Sequence, residues 1–156
     1  MDVQIRTEPE RQVAALRHTG PYHEIGSAFG KLAGWAASQG IPQGESLALY
    51  HDDPGTTPAS ELRSDACMVL PASVNVSGDG VREMTLPAGR YAVTTHTGHY
   101  STLGDGWAAF LQQWLPSSGQ QPDFTKPCME IYVDDCSVTP AEKLRTELCI
   151  PLQGAA

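Results

Sequence analysis

The segment Lys126-Pro127-Cys128-Met129-Glu130-Ile131-Tyr132 sets a carboxylate and a phenol two residues apart inside an apolar, strand-like run. Alternation sends Met129, Ile131 and Val133 to one face and Glu130 with Tyr132 to the other. With the apolar trio packed beneath helices, Glu130 is expected on the opposite side of the sheet. A carboxylate set among aromatic rings attracts an organic cation by charge, and the rings add stacking or cation–π contact. Beside a Tyr hydroxyl the same carboxylate could also deprotonate water while the hydroxyl donates to a developing oxyanion. Tyr132 and Tyr50 share Glu130's expected face, and Tyr22 and Tyr100 open two helical patterns after Gly turns. Trp107 lies one turn into the second pattern and ranks below the tyrosines, because core packing accounts for it.

Other chemistries find less support. His18, His23, His51, His96 and His99 pair with no carboxylate at a metal-ligand spacing, and Cys67, Cys128, Cys136 and Cys149 form no Cys-x-x-Cys pair, so no metal site is expected. No Gly-x-Ser-x-Gly elbow marks a nucleophile, and no cofactor motif is read. A net charge of -8, with ten Lys and Arg scattered along the chain, provides no basic stripe for phosphates, so direct nucleic-acid binding is not expected. No apolar run approaches the roughly 20 residues a bilayer requires, and Met1 to Arg6 has no apolar core, so neither membrane insertion nor secretion is expected and the protein is placed in the cytoplasm.

The elements that position these groups follow from an internal repeat. His18-Thr19-Gly20-Pro21-Tyr22 reappears 78 positions later as His96-Thr97-Gly98-His99-Tyr100, and Phe29 aligns with Trp107, Leu32 with Phe110 and Ala36 with Trp114. Farther along the offset is 82: Tyr50-His51-Asp52-Asp53 matches Tyr132-Val133-Asp134-Asp135, and Cys67 matches Cys149. An insertion of four residues within Ser117 to Lys126 explains the change. The repeats run from about 3 to 70 and from 81 to 152 within a single domain of 156 residues, joined by Pro71 to Gly80. The register places Ala48 where the second copy has Glu130, so the acid belongs to one copy alone.

Within each copy the apolar period changes from two to 3.6 and back. Val13 to Arg17 and Tyr91 to Thr95 read as strands and as second arms of hairpins after Pro9 and Pro87. Ile25, Phe29, Leu32, Ala33 and Ala36 recur at helical spacing, as do Leu103, Trp107, Phe110, Leu111 and Trp114, with breaks at Gly40 and Pro116. Strands follow at Ser46 to His51 and Asp65 to Leu70, then at Met129 to Val133 and Thr146 to Leu152. The expectation is an α+β fold of duplicated βαββ units, forming one antiparallel sheet with two helices on one face and pseudo-twofold symmetry.

This pattern resembles the GyrI-like family, stand-alone relatives of the effector-binding domain of AraC-type transcription activators. The resemblance rests on His18-Thr19-Gly20-Pro21-Tyr22, Tyr50-His51-Asp52-Asp53-Pro54, Thr57-Pro58-Ala59 through Leu62-Arg63, and Lys126 to Tyr132, and it spans about Val3 to Leu152. It implies a bacterial, multidrug-type binding protein whose pocket forms where the two units meet, with an acidic residue at Glu130. No DNA-reading helix-turn-helix is read in the chain. The leading expectation is a small-molecule partner, amphipathic and cationic or toxic. The alternatives are a modulator of DNA gyrase through protein contact and a cofactor-free hydrolase of strained cyclopropane-bearing genotoxins, in which Glu130 is the catalytic residue.

Overall fold

The computed structural model describes residues 1–71 and 74–154. Positions 72 and 73 of the expected connecting stretch lie outside the described residues. In chain order the elements are β1 (Val3–Glu8), β2 (Arg11–Thr19), α1 (Gly26–Ser38), β3 (Ser46–Tyr50), β4 (Arg63–Val69), β5 (Arg82–Leu86), β6 (Gly89–Thr97), α2 (Leu103–Ala108), a π-helical segment (Ala109–Trp114), α3 (Leu115–Ser118), β7 (Cys128–Tyr132) and β8 (Arg145–Pro151). The chain divides into two units, one of Pro9–Ala88 and one of Met1–Glu8 with Gly89–Ala156.

In the first-copy unit the antiparallel order is β3-β4-β2-β5, and in the second-copy unit it is β1-β6-β8-β7. The strands and helices expected from the repeat are present, but the hairpin arms are exchanged. β1 pairs with β6 (Val3 opposite Thr94) rather than with β2, and β5 pairs with β2 (Arg11 opposite Leu86) rather than with β6. The cause is the linking chemistry. A two-residue hairpin needs backbone at positive φ, commonly Asn-Gly, and the Pro9-Glu10 and Pro87-Ala88 links supply none. The chain therefore runs on past each link instead of folding back.

α1 buries Ala28, Leu32, Trp35 and Ala36 and ends where Gly40, at φ +68, lets Ile41 N–H reach back to the Ala36 carbonyl. In the second-copy unit, Phe110 of the π-helical segment packs with Ala92, Leu148, Ile150 and Leu152, and Leu103, Trp107 and Trp114 join that core. The helical stretch does not stop at Pro116, where a break was expected. It continues to Ser118 and ends at Gly119, φ +74. Proline lacks the N–H for the carbonyl one turn back and its ring collides with that carbonyl; the wider π turns just before it relieve both conflicts.

The repeated Tyr-x-Asp-Asp and Leu-Arg motifs lock matching turns. Asp52 receives the Arg63 backbone N–H and guanidinium at 2.8–3.0 Å, and Asp134 receives Arg145 in the same way at 2.8–3.0 Å. These arginines are exposed, so the pairs specify the turn more than they stabilise it. Among the described residues no helix is long and apolar enough to cross a membrane.

Candidate functional site

Three consecutive residues of β7, Met129, Glu130 and Ile131, are buried, so this strand is covered on both faces. Glu130 sits opposite Leu148 of β8, and Leu148 belongs to the core beneath the helical stretch. Glu130 thus lies on the helix-covered face rather than the opposite side expected from alternation. Alternation ranks faces only when one of them meets solvent, and β7 offers no such contrast.

At 3% exposure the Glu130 carboxylate is held from two directions. The Trp107 indole N–H of α2 donates to Oε2 at 2.6 Å, and the Tyr132 hydroxyl donates to Oε1 at 2.7 Å. Trp107 therefore does two jobs, packing against Phe110 and gripping the acid, where the sequence ranked packing ahead of a site role. Tyr100, from the short helical turn before α2, stacks edge-on against Tyr132 with ring centroids 5.6 Å apart. Burial, then the negative groups at Cys136, Asp134 and Glu130, raise the Tyr100 hydroxyl above its ordinary range, which keeps it protonated. Four of the six sequence-selected residues, Glu130, Tyr132, Trp107 and Tyr100, thus meet in one unit. Tyr22 and Tyr50 lie in the other, paired at 4.7 Å, with the Tyr22 hydroxyl donating to the Asp52 carbonyl at 2.6 Å.

Sequence reasoning missed the π-helical segment that starts two residues after Trp107, a feature concentrated at functional sites. Its signal was Pro116 directly after an unbroken helical pattern. It also missed Thr146 of β8, whose fully buried hydroxyl has no hydrogen-bond partner among the described residues and which sits opposite Tyr132. In the second-copy unit an open groove of about 470 Å³ is lined by His96, Gly106, Leu148, Thr94 and Arg6, among others. Leu148 is Glu130's cross-strand neighbour and Gly106 precedes Trp107, but Glu130 and its aromatic partners do not themselves line this groove.

A second buried acid lies in the first-copy unit. Asp65 of β4 takes the His51 ring nitrogen at 2.6 Å, Arg17 at 2.9 Å and Arg82 at 2.8 Å. Burial pushes its carboxyl up, but the bonds from His51, Arg17 and Arg82 outweigh burial and hold it well below the usual carboxylate range.

Residues 1–153 match the family described as the GyrI-like small molecule binding domain. The chain is 30% identical over 141 residues to a DNA gyrase inhibitor of Escherichia fergusonii, covering 88% of this chain and 90% of that protein. It superposes on the crystal structure of the EcmrR C-terminal domain with a TM-score of 0.83 at 18% identity, covering 97% of each chain. It also superposes on the structure of SAV2435 bound to tetraphenylphosphonium with a TM-score of 0.71 at 15% identity, covering 99% of this chain and 95% of that one. The two structural likenesses establish the α+β fold across the chain.

Proposed function

Because the chain belongs to the GyrI-like family of small-molecule binding domains, we propose that it binds amphipathic organic cations, with Glu130 as the charged contact and Trp107, Tyr132 and Tyr100 as the aromatic wall. The observation that carries this reading is the buried carboxylate itself. Removing a charge from water costs several kcal/mol unless it is recovered. The equivalent position in the first copy is Ala48, equally buried, so the scaffold does not require an acid there. A carboxylate placed there among aromatic rings matches a lipophilic cation in charge and in shape.

The ring-opening alternative gives Tyr50 or Tyr132 the task of donating to a substrate oxyanion. Tyr132 donates to Glu130 itself and Tyr50 lies in the other unit, which favours binding over hydrolysis. A gyrase partner is the second reading, supported by the 30% identity to a protein named as a gyrase inhibitor. A pull-down with purified gyrase subunits tests it directly.

The binding proposal is tested with two probes of one shape and opposite charge, tetraphenylphosphonium and tetraphenylborate. Titration calorimetry is expected to show saturable binding of the cation and none of the anion. Equal affinity for both, or for neither, overturns the proposal.

A further inference from the structure

Thr146 sits near the start of β8, opposite Tyr132 of β7 on one side and His96 of β6 on the other. It precedes Leu148 by two residues, so both side chains share the helix-covered face with Glu130. In register it is the diagonal neighbour of Glu130, a separation of roughly 7 Å in an antiparallel pair. Its side chain has no solvent exposure and its hydroxyl no hydrogen-bond partner.

A buried hydroxyl without a partner is a cost that valine, of the same shape, would remove. The nearest polar groups across the sheet do not reach it: His96 Nε2 meets the Thr102 hydroxyl at 2.8 Å, and the Tyr132 hydroxyl donates to Glu130. His96, the cross-strand neighbour of Thr146, and Leu148, two residues on, both line the groove of this unit. Resting on the binding reading above, we propose that the Thr146 hydroxyl is a second polar contact of the Glu130 site, one that selects among organic cations for those carrying a hydrogen-bonding nitrogen or oxygen.

The first copy provides an internal control. Ser64 occupies the equivalent position opposite Tyr50, is also fully buried and also lacks a partner, but the neighbouring acid is replaced by Ala48.

The test compares tetraphenylphosphonium, which has no hydrogen-bonding group, with ethidium, a permanent cation with two aromatic amines. Calorimetric titrations are run on the wild type and on Thr146→Val, Thr146→Ser, Ser64→Ala and Glu130→Gln. Thr146→Val is expected to weaken ethidium about five- to tenfold, the size of a neutral hydrogen bond, and to leave tetraphenylphosphonium within about twofold. Thr146→Ser should retain ethidium affinity, and Ser64→Ala should change neither probe. If Thr146→Val binds ethidium as the wild type does while Glu130→Gln weakens both probes, the Thr146 proposal falls and the cation site stands. Equal weakening of both probes by Thr146→Val, or loss of ethidium in Ser64→Ala, also overturns it. A wild type that binds neither probe overturns both readings.

Discussion

Glu130→Gln separates the charge of this site from its shape. The Trp107 and Tyr132 donors to the carboxylate differ in kind: the Trp107 N–H can only donate, whereas the Tyr132 hydroxyl can turn to accept. Glutamine can therefore direct its carbonyl at Trp107 and its amide N–H at Tyr132, keeping both bonds while losing the charge. The melting temperature of the free protein should stay level or rise, because an ionised group no longer has to be buried. For the ligand, a cation roughly 5 Å from the carboxylate at an effective dielectric near 20 gains about 3 kcal/mol in gross attraction. Coupling between close charge pairs starts at about 1.5 kcal/mol net, and with the gross attraction as a ceiling the expected loss in affinity is roughly 10- to 150-fold. Titration calorimetry with tetraphenylphosphonium measures this, and the preference over tetraphenylborate should collapse in the same variant. Affinity within about threefold of the wild type refutes the reasoning. So does a large fall in melting temperature, which would make the charge a structural necessity.

Asp65→Asn leaves two arginines and a histidine around a neutral group. Breaking a buried pair costs about 3–5 kcal/mol, and the 39% exposure of Arg17 and Arg82 lowers the expectation to about 2–3 kcal/mol. Because the Asp65 carboxyl is held below its unfolded value near 4, its stabilisation is fully present above that value and is lost as pH falls below it. The deficit of the variant in chemical denaturation should thus be constant from about pH 8 to 5 and shrink toward pH 3; a deficit independent of pH counts against the ion-pair account. Gly44→Ala places a Cβ 2.3 Å from the Val69 carbonyl oxygen, a backbone atom, and should cost about 1–3 kcal/mol by thermal unfolding, whereas an unchanged melting temperature would show the β3 approach to be adjustable. Under native conditions a thiol reagent should label exposed Cys136 first, with Cys67 and Cys149 protected by burial and the Cys128 thiol pushed up to about 12; rapid labelling of all four would show the sheets opening readily.

The sequence made legible what depends on local periodicity. The offsets of 78 and 82, the helical runs and the strand positions all follow from apolar spacing that each copy states independently. Strand partners were less legible. Pairing of β1 with β6 is decided by what Pro9-Glu10 cannot do, and a local pattern favours the nearest partner. The face of Glu130 was misread for a related reason: Met129, Glu130 and Ile131 are all buried, so hydrophobicity does not distinguish the two sides of β7. The contact from Trp107 to Glu130 joins residues 23 positions apart and depends on that face, so it could not be read before the face was known. The aromatic identities themselves were visible, and four of the six selected residues gather in one unit.

The two copies handle a buried acid in opposite ways, and the difference bears on function. In the first-copy unit Asp65 meets Arg17 and Arg82, cationic partners that cancel its charge, and the His51 ring nitrogen, which together make it a structural pin. At the equivalent position of the second copy Glu147 pairs with Arg6. The acid at Glu130 takes an indole N–H and a phenol O–H, donors that orient the carboxylate among aromatic rings. The surrounding changes point the same way. Ala48 becomes Glu130, Phe29 becomes Trp107, and a regular α-helix becomes one interrupted by π turns directly after the tryptophan. The buried acid and the π turns each carry a local cost, through a desolvated charge and less favourable helical turns. Together they build one oriented negative group against an aromatic wall. A duplicated scaffold allows such local costs because one copy shows what the fold needs, and the departures of the other mark what a ligand needs.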